Sequence, residues 1–379
     1  MVRVSSKLTW ISFILTLFPI PLILFLWSFT RGSWNRIISG AAPAGITWTS
    51  SVDNASIPNI LHYVYLFNNP TAELTFHFKH YLFLYSAWYY WRLETIYVHT
   101  NADENSLRRA RDGQSGSKWS QLILTHAAVK HHKVDMPTHA GNGVELAGLE
   151  HASDFVRVDV VRRLGGIYID FDVYPLRDVR ILRESGFAGI VGRQVDGNVN
   201  SGTFMARAGG RVITDWQREM NEVYNGGWTV HSNDALRTVA ERLVGKEGEV
   251  LIMDEKAFAP RGWHAEDIMG LFGVHGDTAS NLQNVTVIDG EGTQMLVPLL
   301  PSLPDALPDD SPSWQHDYSD SYMLHAFWPH PGLNPVKGLR DVTPRYVLER
   351  QSDFSRAVYR VAKAMYDEGL LKIDDSHIG

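Results

Sequence analysis

Two aspartates, Asp170 and Asp172, close the run Gly165-Gly-Ile-Tyr-Ile-Asp-Phe-Asp172. Ile167, Tyr168 and Ile169 are β-prone and follow a glycine pair, so the run reads as a buried strand delivering both carboxylates at its C-terminal end. Residues i and i+2 of an extended chain point the same way, which turns both carboxylates toward one hard cation and Phe171 to the opposite side. Mg²⁺ and Mn²⁺ take oxygen ligands and share one or two carboxylates with the phosphates of a substrate. The chemistry open to the pair is metal-assisted handling of a phosphorylated compound. A bare Asp-x-Asp is equally a solvated turn after a strand. The glycine pair, the apolar strand and the helix before it weigh against that reading.

The helix that must position the strand lies just upstream. From His151 to Leu164, apolar residues at 152, 155, 156, 158, 160, 161 and 164 form a wide stripe. Gly165 stands where a C-cap is expected, and Arg162 and Arg163 occupy the last turn, where cations suit the helix dipole. Asp154 and Arg157 are three apart and share one face. They form either a local salt bridge or a carboxylate–guanidinium pair that holds the hydroxyls of a bound sugar. Along the rest of the chain, strand-like runs at 58–66, 95–99, 167–171, 187–192 and 250–253 alternate with helical stretches at 73–92, 146–164, 210–223 and 232–244. This is the pattern of one α/β domain with a largely parallel sheet, whose ligands bind outside the carboxyl ends of the strands.

The segments Ala152-Ser-Asp-Phe-Val-Arg157 and Leu164-Gly-Gly-Ile-Tyr-Ile-Asp-Phe-Asp-Val173 resemble the sugar-donor region of glycosyltransferase family 32. That family holds fungal Golgi mannosyltransferases, including those acting on inositol phosphoceramide, and the clostridial glucosylating toxins share its core. Ile57-Pro-Asn-Ile-Leu-His-Tyr-Val-Tyr65 resembles its opening strand, with Asn59 in place of the usual Lys and Tyr63 in place of Gln. The region after residue 205 matches only loosely.

The resemblance implies a GT-A fold, a Rossmann-like α/β domain that binds a nucleotide sugar through Mn²⁺ or Mg²⁺ and retains the anomeric configuration. It makes Asp154, Arg157, Asp170 and Asp172 the catalytic candidates. Asp172 would coordinate the metal directly, Asp170 would act through ribose or a metal-bound water, and Tyr168 would pack near the nucleotide. Asp154 and Arg157 would fix the sugar. Asn200 and Ser201, within Asn198-Val-Asn-Ser-Gly-Thr203, lie where related enzymes place small polar residues near the donor; a plain turn before a strand explains them nearly as well. His325, in Tyr322-Met-Leu-His-Ala-Phe-Trp328, resembles the family's late metal ligand and is equally a core histidine in an aromatic strand, with His330 as the fallback. GDP-mannose is the favoured donor, with UDP-galactose, UDP-glucose and UDP-N-acetylglucosamine open, and the acceptor is a glycan or the inositol head of a sphingolipid. Two other classes stand beside this one. A metal-dependent phosphohydrolase would need further Asp/His clusters at motif spacing, which the sequence lacks. A membrane-anchored carbohydrate-binding protein without activity would keep the fold.

Residues 8–29 are 22 residues without a charge, enough to span a bilayer and long for a cleaved signal core. The expected organisation is a cytoplasmic tail at 1–7, a signal anchor at 8–29, a stem at 30–55 and the catalytic domain at 56–379. That makes a single-pass type II protein of the Golgi or ER membrane with a luminal body. Orientation is weakly marked, because Arg3 and Lys7 balance Arg31 and Arg36. Asn54-Ala-Ser and Asn284-Val-Thr are glycosylation triplets consistent with a luminal body. A net charge of −7 with 35 Lys+Arg spread thinly argues against a nucleic-acid partner. With no cysteine, the chain has neither disulfides nor a thiol nucleophile. The 16 histidines include no H-x-x-x-H on a convincing helix, so a zinc site is not expected. A Pro-rich run at 297–312 reads as an irregular surface excursion.

Overall fold

The computed structural model describes residues 56–276, 283–288, 294–299, 311–327 and 342–379. The anchor expected at 8–29, the stem at 30–55, His330 and most of the Pro-rich run lie outside the described residues. Among the described residues, no helix is long and apolar enough to cross a membrane.

The strands are β1 (Ile60–Val64), β2 (Thr95–Thr100), β3 (Val129–Lys133), β4 (Gly166–Ile169), β5 (Val173–Pro175), β6 (Gly189–Arg193), β7 (Val199–Ala206), β8 (Val250–Met253), β9 (Gln283–Ile288), β10 (Gln294–Leu299) and β11 (Met323–His325). The helices are α1 (Phe78–Trp91), α2 (Glu104–Arg111), α3 (Lys118–Thr125), α4 (Leu149–Leu164), α5 (Arg180–Arg183), α6 (Arg211–Val223), α7 (Ala235–Leu243), α8 (Glu255–Phe258), α9 (Ala265–Phe272), α10 (Pro344–Glu349) and α11 (Asp353–Asp367). A short π-helix, Val230–Asp234, leads into α7.

Seven strands form one sheet in the order β3-β2-β1-β4-β7-β6-β8. Pairing is parallel throughout except at β7, which runs antiparallel to β4 and β6. The sheet is thus mixed and mainly parallel; the alternation of strand and helix accounts for its parallel part and not for the reversed β7. Because β7 is reversed, its first residues lie at the edge where β1 and β4 end. That reversal brings Asn200 and Ser201 beside Asp170.

Both faces are covered, as a buried mainly parallel sheet requires. Leu61, Tyr63, Ile167, Ile169, Ile190 and Met205 join the core on the α1 side. Their neighbours Val64, Tyr168, Val191 and Phe204 join a second core with Val158 and Val161 of α4, Trp216 of α6 and Leu236 of α7. The alternation along each strand follows the two-residue period of extended backbone.

The passage from α4 to β4 has no room for side chains. Gly165 and Gly166 take φ of 67° and 114°, and a Cβ on Gly166 would meet Ile60 O at 2.5 Å. Glycine is the residue that adopts both angles without strain. The Gly165 carbonyl meets His62 Nε2 at 2.8 Å, His62 Nδ1 meets His99 Nε2 at 2.8 Å, and His99 Nδ1 meets His132 Nδ1 at 3.0 Å. Three imidazoles on adjacent strands thereby form one hydrogen-bonded line. Burial pushes His62 down to about 4, and burial with the neighbouring histidines pushes His99 down to about 2.

Candidate functional site

Beyond Ile169 the chain does not continue extended. Asp170 N donates to Gly202 O at 2.8 Å, and Val173 N donates back to Asp170 O at 3.1 Å, closing a turn over Phe171 and Asp172. Phe171 stacks on Tyr63 at 5.1 Å and packs against Phe76, His80 and Phe83, on the face away from α4. The two carboxylates therefore come together through a turn, where extended i, i+2 geometry was the expectation.

β5 follows at once and pairs with β11, placing His325 opposite Val173. This register carries His325 Nε2 to 3.3 Å from Asp172 Oδ1. One ligand atom from each of Asp170, Asp172 and His325 lies within 4.8 Å of the other two. His325 is buried, its ring stacked on Phe327 at 3.8 Å, and its Nδ1 has no hydrogen-bond partner. Phe327 itself sits at φ 45°, a left-handed conformation costly for a bulky residue.

The three groups fit a divalent cation on their own chemistry. Two carboxylates suit Mn²⁺ or Mg²⁺, and the imidazole favours Mn²⁺ of the two. Desolvation raises the Asp170 pKa, Arg157 opposes that rise and the neighbouring Asp172 adds to it, so a dication would relieve a crowded charge. Gly202 keeps the space beside Asp170 Oδ2 open, since a Cβ there would come within 2.5 Å of that oxygen.

Arg157 joins this corner to the helix. Its Nη1 donates to Asp170 Oδ1 at 3.0 Å, and its Nη2 meets Asp154 Oδ1 at 2.5 Å and Ser201 Oγ at 2.8 Å. Asp154 and Arg157 form the local i,i+3 salt bridge that their spacing allowed; both are buried, and Arg157 reaches on to Asp170. Burial works against the Arg157 charge, but Asp154 and Asp170 hold its pKa above the ordinary value. Tyr168 is buried in the second core, and its hydroxyl donates to Asp170 Oδ1 at 2.6 Å. Asp170 Oδ1 is thus occupied by two donors. Ser201 Oγ donates to Asn233 Oδ1 at 2.6 Å. Asn200 uses both ends of its amide nearby, accepting from Gly202 N at 2.7 Å and donating to Gln194 Oε1 at 2.7 Å.

Three residues of this network, Gln194, His231 and Asn233, are not singled out by sequence patterns. His231 Nε2 lies 2.7 Å from Asp154 Oδ2, and Asn233 receives Ser201, both from the π-helix. The polar run His231-Ser-Asn-Asp234 ahead of a helix is the one trace these two leave in the sequence. Of the histidines clustered upstream, His131 and His139 are exposed, whereas His151 is buried against the Tyr224 hydroxyl at 2.7 Å.

Residues 111–188, which run from the end of α2 past α5, match the family described as glycosyltransferase sugar-binding region containing DXD motif. No curated protein matches the chain. Among solved structures, the PaToxG glycosyltransferase is 14% identical, over 50% of this chain and 70% of its own, with a TM-score of 0.36. The glycosyltransferase GlyE of Streptococcus pneumoniae TIGR4 is 10% identical, over 53% of this chain and 46% of its own, at 0.32. The galactosyltransferase LgtC, solved with donor and acceptor sugar analogs, is 12% identical, over 52% and 74%, at 0.32.

Proposed function

We propose that this chain, a glycosyltransferase of the family whose sugar-binding region contains a DXD motif, moves a sugar from a nucleotide-sugar donor at a cation held by Asp170, Asp172 and His325. One observation carries the reading. A single buried guanidinium, Arg157, ties Asp154 on the helix to Asp170 at the metal corner. The mixed, mainly parallel sheet, with the site at the carboxyl edge of β4, supports a GT-A architecture.

When bound, the cation neutralises the departing diphosphate as a Lewis acid. Tyr168 holds Asp170 Oδ1, and Arg157 Nη1 spans both oxygens, at 3.0 Å from Oδ1 and 3.4 Å from Oδ2. Asp154 and Arg157 hold the sugar hydroxyls, fixing the anomeric carbon where the acceptor hydroxyl reaches it. Both Asp154 oxygens are already bound, by Arg157 and His231, which blunts it as a covalent nucleophile. A same-face displacement suits that arrangement, with retention following from the family resemblance. GDP-mannose is the favoured donor, UDP-sugars are alternatives, and the acceptor is a glycan or a glycolipid head group. The uncharged stretch at 8–29 supports a membrane anchor, and a type II orientation with this domain in the Golgi or ER lumen completes the proposal.

The test is a donor panel of GDP-mannose, UDP-glucose, UDP-galactose and UDP-N-acetylglucosamine with Mn²⁺. Sugar-dependent nucleotide release is expected with one donor, and it should vanish in excess EDTA and in Asp172→Ala. Phosphate release from simple esters would instead support a phosphohydrolase. Sugar binding without release would support a carbohydrate-binding protein.

A further inference from the structure

His231 has no part in the chemistry above, yet it is fully buried and touches the carboxylate assigned to the sugar. Its ring lies parallel to Phe155 at 5.6 Å and edge-on to Tyr224 at 4.9 Å. Its backbone carbonyl accepts from Trp216 Nε1 at 3.2 Å. The π-turn that presents it is closed by Asp234 N donating to Thr229 O, five residues back, at 3.0 Å. Such widened turns recur at functional sites. Nδ1 is buried with no hydrogen-bond partner, so the single polar contact of the ring is the one to Asp154 Oδ2. Two acceptors would repel at 2.7 Å, so Nε2 carries the proton and donates to the carboxylate.

The consequence falls on Asp154. Arg157 takes Oδ1 and His231 takes Oδ2, one donor on each oxygen. An ionised carboxylate offers about four lone-pair sites, so about two remain for a ligand. The terminal torsion of an aspartate is soft and broad. With Arg157 as the only partner the group would swivel, whereas with donors on both oxygens its plane is fixed. We infer that His231 is a positioning residue for sugar recognition: it locks the plane of Asp154 and thereby sets which pair of donor-sugar hydroxyls the pocket accepts. This rests on the reading that Asp154 and Arg157 hold the donor sugar.

The experiment uses the full chain with Mn²⁺ and two substitutions. His231→Phe keeps the ring packing against Phe155 and Tyr224 but removes the donor, and His231→Gln returns an amide N–H near the position of Nε2. Binding of GDP and of UDP reports the nucleotide half of the site. Turnover of GDP-mannose against GDP-glucose, and of UDP-glucose against UDP-galactose, reports sugar discrimination. In His231→Phe, turnover of the preferred sugar is expected to fall about tenfold, the worth of one hydrogen bond to a charged group. The ratio between epimers should move toward one, nucleotide affinity should stay unchanged, and His231→Gln should recover most of the loss. Nucleotide affinity falling in step with turnover, or no recovery in His231→Gln, would reduce His231 to a packing residue and overturn the inference. Asp154→Asn separates the two levels. If it abolishes transfer while His231→Phe keeps both turnover and epimer ratio, the inference alone fails. If Asp154→Asn itself transfers normally, the sugar-pocket reading fails and takes the inference with it.

Discussion

A methyl group at position 202 would lie 2.5 Å from Asp170 Oδ2 and 2.9 Å from Asn200 Oδ1 and His325 Cε1. Glycine there holds open the space into which a carboxylate and an imidazole converge. Gly202→Ala is therefore expected to weaken Mn²⁺ binding about tenfold or more, as loss of a supporting shell does, and to lower transfer in step. Overpacking the strand should cost about 1–3 kcal/mol and leave the chain folded. A calorimetric Mn²⁺ titration beside a thermal melt checks both, and an unchanged Mn²⁺ affinity would remove the metal from this corner. At this scale the sequence was readable where chemistry and local geometry coincide. Asp170 and Asp172 follow a glycine pair and a strand, and Asp154 and Arg157 share a helical face. His231 was hidden because its partner lies 77 residues away and a π-turn leaves no periodic signature. His325 was visible through family resemblance alone, since a three-residue strand has no pattern of its own.

Long helices with an apolar stripe and short strands with an apolar run announced themselves, whereas polar elements did not. α4 was expected at 146–164 and spans Leu149–Leu164, ended by Gly165 as its cap predicts. α6 lies within one residue of its expected 210–223, whereas α1, expected at 73–92, begins only at Phe78. β7 went unread. Its opening Asn200-Ser-Gly-Thr203 looks like a turn, yet all eight residues of the strand are buried. Neighbours meet two of its polar side chains, Asn200 bonding Gly202 and Gln194 and Ser201 bonding Arg157 and Asn233, while the buried Thr203 hydroxyl has no hydrogen-bond partner. None of those partners is visible from β-propensity, which rewards apolar, branched side chains. The reversed direction of β7 was illegible for the same reason, since the alternation of strands and helices predicts only parallel neighbours. The first residues of the Pro-rich run, Val297-Pro-Leu299, pair with Gln283–Asn284–Val285 in β10–β9, so a regular ladder extends into a stretch read as irregular.

For the whole molecule, the seven-stranded sheet gathers the ends of β1 and β4 and the start of β7 at one edge, where Asp170 meets Arg157 of α4 and lies with His325 of β11 beside Gly202. The anchor proposed at 8–29 would tether this domain to a membrane. In sealed microsomes a C-terminal tag is expected to resist protease until detergent is added. Digestion without detergent would put the domain in the cytosol and remove luminal glycans and head groups as acceptors. The general class, an α/β transferase domain, was legible in the alternation of elements and in one motif. Acceptor recognition was not, because no local pattern after residue 205 marks it.

The line of imidazoles from His132 to the Gly165 carbonyl also imposes a proton count. An unfolded chain takes up a proton on each ring near pH 6.5, while in the folded chain His62 stays neutral down to about 4 and His99 to about 2. Their contribution to stability is complete above pH 6.5 and drains away as pH falls toward 4. Each ring adds a slope of about 1.4 kcal/mol per pH unit within that window, so the two together give about 3 kcal/mol per unit at the steepest. Asp170 and Asp353, whose pKa values are raised, work in the opposite sense above pH 3.8 and offset part of that slope. Urea unfolding measured between pH 7 and pH 4.5 is expected to show a midpoint that falls continuously with acid, and His99→Asn should flatten the curve. A midpoint independent of pH would mean that folding leaves the basicity of these rings unchanged. The same hydrogen bonds that steady the glycine corner behind the active edge would thus set a lower acid limit on the compartment in which the enzyme can stay folded.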